Sequence, residues 1–172
     1  MKSIYLVVCA LTMQLMFVGS AFAKENADSS QTVGLTASFQ SRQVDILVPV
    51  WVSNNVSISP AFGLAWEEGS GADLHVGVVP RYYLVRKVVS PYVGLRVALL
   101  QTIPASGSGI SSSTDWLAGF EFGAEYFFNR HLSFGVESQG NFTFSSPNSS
   151  RFGNPGKTNF NTAAAVFATV YF

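Results

Sequence analysis

An eight-stranded antiparallel transmembrane β-barrel of up-and-down topology is the fold class that this sequence predicts. Three observations lead to it. The chain opens on an export leader. Beyond the leader it is unusually apolar, yet no stretch could cross a membrane as a helix. Its apolar residues recur at every second position, not with a helical period.

The leader is residues 1–23, MKSIYLVVCALTMQLMFVGSAFA. It begins with Lys2, runs apolar from Ile4 to Val18 with breaks at Thr12 and Gln14, and closes on Ala21-Phe22-Ala23. Ala21 and Ala23 form an A-x-A cleavage pattern, so a secretory signal peptide is expected at 1–23 and one domain at 24–172. Cys9 is the only cysteine and leaves with the leader. Val8 before it is too large for lipoprotein cleavage. The mature chain is therefore expected to hold no disulfide, no Cys-based metal site and no cofactor. Losing Lys2 leaves nine Lys+Arg against ten Asp+Glu, a net charge of −1. There is no basic patch, and no nucleic-acid partner is expected.

Charged residues are 12% of the chain, about half the usual share, and aromatics are 14%. After residue 23 no apolar run approaches the roughly 20 residues of a membrane helix. Only a closed barrel then satisfies every backbone group within lipid.

Eight strands are expected at 33–40, 43–53, 56–67, 73–85, 89–102, 114–127, 131–145 and 159–172. In the first, Val33, Leu35, Ala37 and Phe39 share one face, against Gly34, Thr36, Ser38 and Gln40. The second lies between the turns near 41–43 and at Ser53-Asn54-Asn55. In the third, Val56, Ile58, Pro60, Phe62, Leu64 and Trp66 oppose Ser57, Ser59, Ala61, Gly63 and Ala65. The fourth sets His75, Gly77, Val79, Arg81 and Tyr83 on one face, and the fifth does the same with Tyr92, Gly94, Arg96 and Ala98. The sixth sets Trp116, Ala118, Phe120, Phe122, Ala124 and Tyr126 against Leu117, Gly119, Glu121, Gly123 and Glu125. In the seventh, Leu132, Phe134, Val136 and Phe142 oppose Ser133, Gly135, Glu137, Gln139 and Asn141. The eighth runs to the end of the chain.

The connections alternate in length. Tight turns fall at 53–55, 86–88 and 129–130. The other set lies near 41–43, 67–73, 104–113 and 146–157, and three of those four are long and rich in Gly, Ser and Pro. Short periplasmic turns and longer surface loops are the pattern of an outer-membrane barrel, and an even strand count puts both termini in the periplasm. A soluble barrel or a β-sandwich would bury its aromatic face. Eight strands enclose too little space for Trp66, Trp116, Phe120, Phe122, Phe134 and Phe142 together. The aromatic face is therefore expected in lipid and the small or polar face in the lumen. Trp66, Trp116 and Phe142 are expected in one interfacial girdle, with Tyr126, Phe128 and Phe172 in the other.

The chain ends TAAAVFATVYF, with Ala164, Val166, Ala168, Val170 and terminal Phe172 at every second position. This resembles the C-terminal signal of outer-membrane barrels, although Tyr171 rather than the residue before it carries the neighbouring ring. Together with VVSPYVGLRVAL and LAGFEFGAEYFFNRHLSFGVE, the mature chain resembles the small outer-membrane β-barrel superfamily, the OmpA/OmpX-like class. The resemblance implies a Gram-negative outer membrane, delivery by periplasmic chaperones and insertion by the barrel-assembly machinery. Outer-membrane lipids and lipopolysaccharide are the implied surroundings, and a monomer is expected. The class hosts adhesins, tethers and enzymes, so the fold does not fix the role.

Within the lumen a charge network of Arg81, Arg96, Glu121, Glu125 and Glu137 is expected. Arg96, Glu121 and Glu137 are each about eight residues from a tight turn, hence at similar depth. If the hairpin pairs about residue 129, Glu121 faces Glu137 directly, and a guanidinium fork between them would bridge two carboxylates. Two cations against three carboxylates leave one negative charge over, so at least one glutamate is expected either to hold its proton more tightly than usual or to lie near the wet rim, Glu125 being nearest the periplasmic end. Eight strands leave no open channel.

His131-Leu132-Ser133 resembles part of the site of the outer-membrane lipid A deacylases. Here the pair follows a tight turn, faces the lumen, and has Ser145 where an acidic residue is needed, so no catalytic residue and no enzyme activity is expected. His75 lies far from His131, leaving no two-histidine metal motif. Asp45, Glu67, Glu68 and Asp73 are expected at a solvated rim rather than in a cation site. Loops 3 and 4, around 104–113 and 146–157, are the expected places for adhesion or ligand binding.

Overall fold

In the computed structural model, which describes residues 32–40, 43–149 and 151–172, the alternation closes into a cylinder. The leader, with Ala21 and Ala23, lies outside the described residues. The strands are β1 (Gly34–Gln40), β2 in two pieces (Gln43–Leu47 and Val50–Trp51), β3 (Val56–Glu67), β4 (Gly71–Tyr83), β5 (Val89–Pro104), β6 (Ser113–Phe127), β7 (Leu132–Phe144) and β8 (Thr158–Tyr171). Every neighbouring pair is antiparallel, and β1 also pairs with β8, for example Leu35 with Val170, so no edge strand is left. Among the described residues there is no helix.

Two prolines mark weak points of the ladder. Pro49 falls in the gap that splits β2. Pro80 lacks an N–H, and the β4–β5 pairing lapses between Val78↔Val97 and Arg81↔Gly94.

The expected faces hold. Val93, Leu95, Val97, Phe120, Phe122, Phe134, Val136 and Val166 are exposed around the outside, with Trp66 72% exposed. The inward face carries Gly, Ala, Ser and Thr, a set of aromatic rings and nearly all the buried charge.

One loop differs from expectation. The connection expected at 67–73 is a tight turn of residues 68–70, closed by Ser70 N–H donating to Glu67 O at 3.2 Å. Gly69 (φ 81°) and Gly71 (φ 114°) supply the left-handed backbone it needs. Two long loops therefore remain at that end, 105–112 and 145–157, not three.

Candidate functional site

The lumen is built in three layers. At the short-turn end lies an aromatic plug of Trp51, Tyr83, Tyr92, Phe167 and Tyr171, with Phe127 against it. Trp51 and Tyr83 sit 4.7 Å apart by ring centroid, Tyr83 and Tyr92 5.3 Å, and Phe127 and Tyr171 5.9 Å. Glycines make the room. Phe167's ring lies directly on Gly135, and Tyr92's hydroxyl end on Gly123, where a Cβ would stand 2.8 Å from the oxygen. Gly135→Val is therefore expected to force Phe167 aside and to lower the unfolding free energy by about 1–3 kcal/mol. A shifted urea midpoint in lipid vesicles checks it, and an unchanged midpoint refutes it.

Glu125 is enclosed in this plug at 0% exposure. It accepts hydrogen bonds from Tyr83 Oη (2.6 Å), Tyr171 Oη (2.9 Å) and Ser133 Oγ. Of the two outcomes expected for the surplus carboxylate, the wet-rim position is therefore overturned for Glu125, and so is its direct pairing with an arginine. Three hydroxyls satisfy it instead of a guanidinium. Tyr171 faces inward to reach it, whereas Val166, Val170 and Phe172 of the terminal pattern face outward. Ala164 and Ala168 share their exposed face.

In the middle layer Arg81 is the hub. Its Nε donates to Glu121 Oε1 and an Nη to Glu137 Oε2, both at 2.6 Å. Its guanidinium also lies over the rings of Tyr92 (4.7 Å) and Phe167 (4.8 Å), which seats it on top of the plug. Tyr92 Oη donates to Glu137 at 2.7 Å, and Gln139 Nε2 donates to its other oxygen. The β6–β7 register pairs Glu121 with Gln139 and Gly123 with Glu137. The carboxylates are therefore not directly opposed as expected. The hairpin turns one residue later, about 130, which shifts the register by two.

Arg96 joins the network at longer range, 4.0 Å from Glu137 and 3.7 Å from Asp45. Asp45 also meets His75 Nδ1 at 3.1 Å. Asp45 is buried, contrary to the rim position expected for it. Its partner Gly63 lies four residue pairs below the β3–β4 turn, so β3 and β4 rise past the short β1–β2 hairpin and wall it in.

The third layer closes the loop end. Asp115, 0% exposed, accepts from Ser146 N–H (2.8 Å) and Ser149 Oγ (2.6 Å). Arg151 donates to Asp73 (2.7 Å) and Thr102 (2.9 Å) and stands 3.7 Å from Asp115. These contacts fasten the loop 145–157 to the barrel mouth. Asp115 and Arg151 are missing from the expected network. An inward-facing Asp at a strand start opposite a loop arginine was the available signal. Asp73 is half exposed, as the rim expectation had it, but is bound to Arg151.

Ser133 and His131 do not form a pair. The Ser133 hydroxyl is directed to Glu125, while His131 is exposed with Nδ1 3.2 Å from Tyr171 O.

No protein-family model matches the sequence, and no curated protein sequence matches it. Solved structures do match. The N-terminal β-barrel domain of Pseudomonas aeruginosa OprF aligns with a TM-score of 0.61 at 10% identity, over 81% of this chain and 95% of that one. Neisserial surface protein A (NspA) aligns with a TM-score of 0.56 at 15% identity, over 81% of this chain and 93% of that one. The chain thus has the fold of the small eight-stranded outer-membrane β-barrels.

Proposed function

We propose that the protein is a non-conducting barrel of a Gram-negative outer membrane, with its short turns and both termini in the periplasm and its leader removed. Its role is structural or in surface interaction, as a monomer, without catalysis. One observation carries the closed-pore reading: the aromatic plug and the Arg81 bridge occupy the lumen in successive layers. An aliphatic and aromatic exterior suits a lipid surround, lipopolysaccharide included. The outward-facing Ala164, Val166, Ala168, Val170 and Phe172 would be read by periplasmic chaperones and the barrel-assembly machinery. In planar lipid bilayers the refolded protein is expected to produce no stepwise conductance. Discrete channel steps from the unmodified protein would refute a filled lumen.

The second reading is ligand or cell-surface binding through loops 105–112 and 145–157. It is favoured by the Asp115 and Arg151 contacts, which tie Ser146, Ser149 and Arg151 of the longer loop to the barrel mouth and so lessen the ordering cost of binding. Binding to cells or matrix that disappears when both loops are exchanged would support it, and binding that survives the exchange would refute it.

A further inference from the structure

The short-turn end of the barrel collects cations. Arg86 and Lys87 stand in the turn between β4 and β5, and Arg130 in the turn between β6 and β7. No Asp or Glu occurs in the three short turns, 52–55, 84–88 and 128–131. Among the described residues none of the three cations forms an ion pair. The nearest carboxylate along the strands, Glu125, is buried and committed to its three hydroxyls.

These cations, with Asn54, Phe127 and Asn129, line a hollow of about 560 Å³. Arg86 is fixed within it. Its guanidinium stands over Trp51 at 3.8 Å and 5.9 Å from Phe127, and donates to Asn54 O at 3.4 Å. The underside of the plug thus pre-orients a charged donor, whose in-plane N–H groups suit a phosphate. Asn129 Oδ1 already accepts from the His131 and Leu132 N–H groups, so its amide nitrogen is the part left to bind a ligand. Three cations and no carboxylate line the hollow, which selects an anion.

Its position selects the kind of anion. Leu84, Val88, Tyr126 and Phe128 are exposed on the outer surface beside these turns, and Tyr126 and Phe128 pack edge to face at 4.9 Å. Aromatic residues at this place mark the headgroup level of a bilayer. The cations follow within a few residues, at the height of lipid phosphates.

We propose that this hollow binds the phosphate of an anionic phospholipid in the leaflet on the short-turn side, an inference that rests on the membrane placement proposed above. Cations near an anionic lipid surface each add to the attraction, so retention about tenfold above the bulk lipid ratio is expected. The test inserts the protein into phosphatidylcholine bilayers holding a minor fraction of phosphatidylglycerol and measures co-purifying lipid by native mass spectrometry. The unmodified protein is expected to retain phosphatidylglycerol, and the Arg86→Gln, Lys87→Gln, Arg130→Gln triple variant to fall to the bulk ratio. Lys157→Gln, at the opposite end, is expected to keep the enrichment. Equal retention by the unmodified and triple-variant proteins overturns the site. Displacement by equimolar inorganic phosphate overturns the lipid assignment in favour of a soluble anion. Insertion, read by a protease-protected barrel fragment, separates the two readings: insertion without enrichment overturns this site alone, and failure to insert overturns the membrane placement and the site with it.

Discussion

Arg81→Ala is expected to lower the unfolding free energy of the barrel by about 3–5 kcal/mol, the largest loss from any single lumenal substitution. The change leaves Glu121 and Glu137 buried above the plug without the guanidinium that holds both at 2.6 Å. It also removes the cation seated on Tyr92 and Phe167. Arg81→Lys is expected to recover only part of the loss, because an ammonium lacks the planar fork that reaches two carboxylates at once. Combining Arg81→Met with Glu121→Gln and Glu137→Gln is expected to recover most of it, since no charge is then buried without a partner. Urea unfolding in lipid vesicles, followed by tryptophan fluorescence, measures all three. If Arg81→Ala unfolds at the same urea concentration as the unmodified protein, the bridge contributes nothing to stability.

Leu95→Arg is expected to cost about 2–4 kcal/mol for the opposite reason. Leu95 is 60% exposed, near the middle of β5, and its side chain faces outward. In water an exposed leucine could become arginine at almost no cost. In hydrocarbon the same change strands a cation far from either interface. Trp66→Arg, close to the β3–β4 turn, is expected to cost only about 0–1 kcal/mol, because there the cation reaches the headgroups. The pair is measured in the same vesicles. Equal, near-zero costs at both positions would mean that this outer surface does not lie in a bilayer.

Much of this architecture was legible from residue parity alone. A strand has period two, so knowing that Phe120 and Phe122 face one way fixes Glu121 and Glu125 on the other. That is why Arg81, Arg96, Glu121 and Glu137 could be assigned to the lumen. Register was not legible. Moving the β6–β7 turn by one residue shifts the pairing by two, which preserves every face and changes every partner. Glu121 consequently meets Gln139 across the ladder, with Glu137 two residues along. Distance from a turn also proved a poor measure of depth. Asp45 is close to its own turn, yet β3 and β4 overtop it, and Glu125 is close to the other rim, yet the plug encloses it. Both errors arise because height in a barrel depends on neighbouring strands as well as on a residue's own.

The ring of donors around Glu125 bears on the order in which the molecule can form. Glu125 belongs to β6, but its partners come from β7 (Ser133), β4 (Tyr83) and β8 (Tyr171). The β6–β7 hairpin by itself supplies one of the three. Arg81 is likewise a β4 residue waiting for two carboxylates that lie two and three strands away. Phe167 and Tyr171 arrive only with β8, the strand that seals the cylinder against β1. A partly assembled sheet would therefore hold bare carboxylates and an incomplete plug, each unfavourable in lipid. Closure of the last seam satisfies them together, so half-built barrels should be short-lived species and the final strand the step that commits the chain.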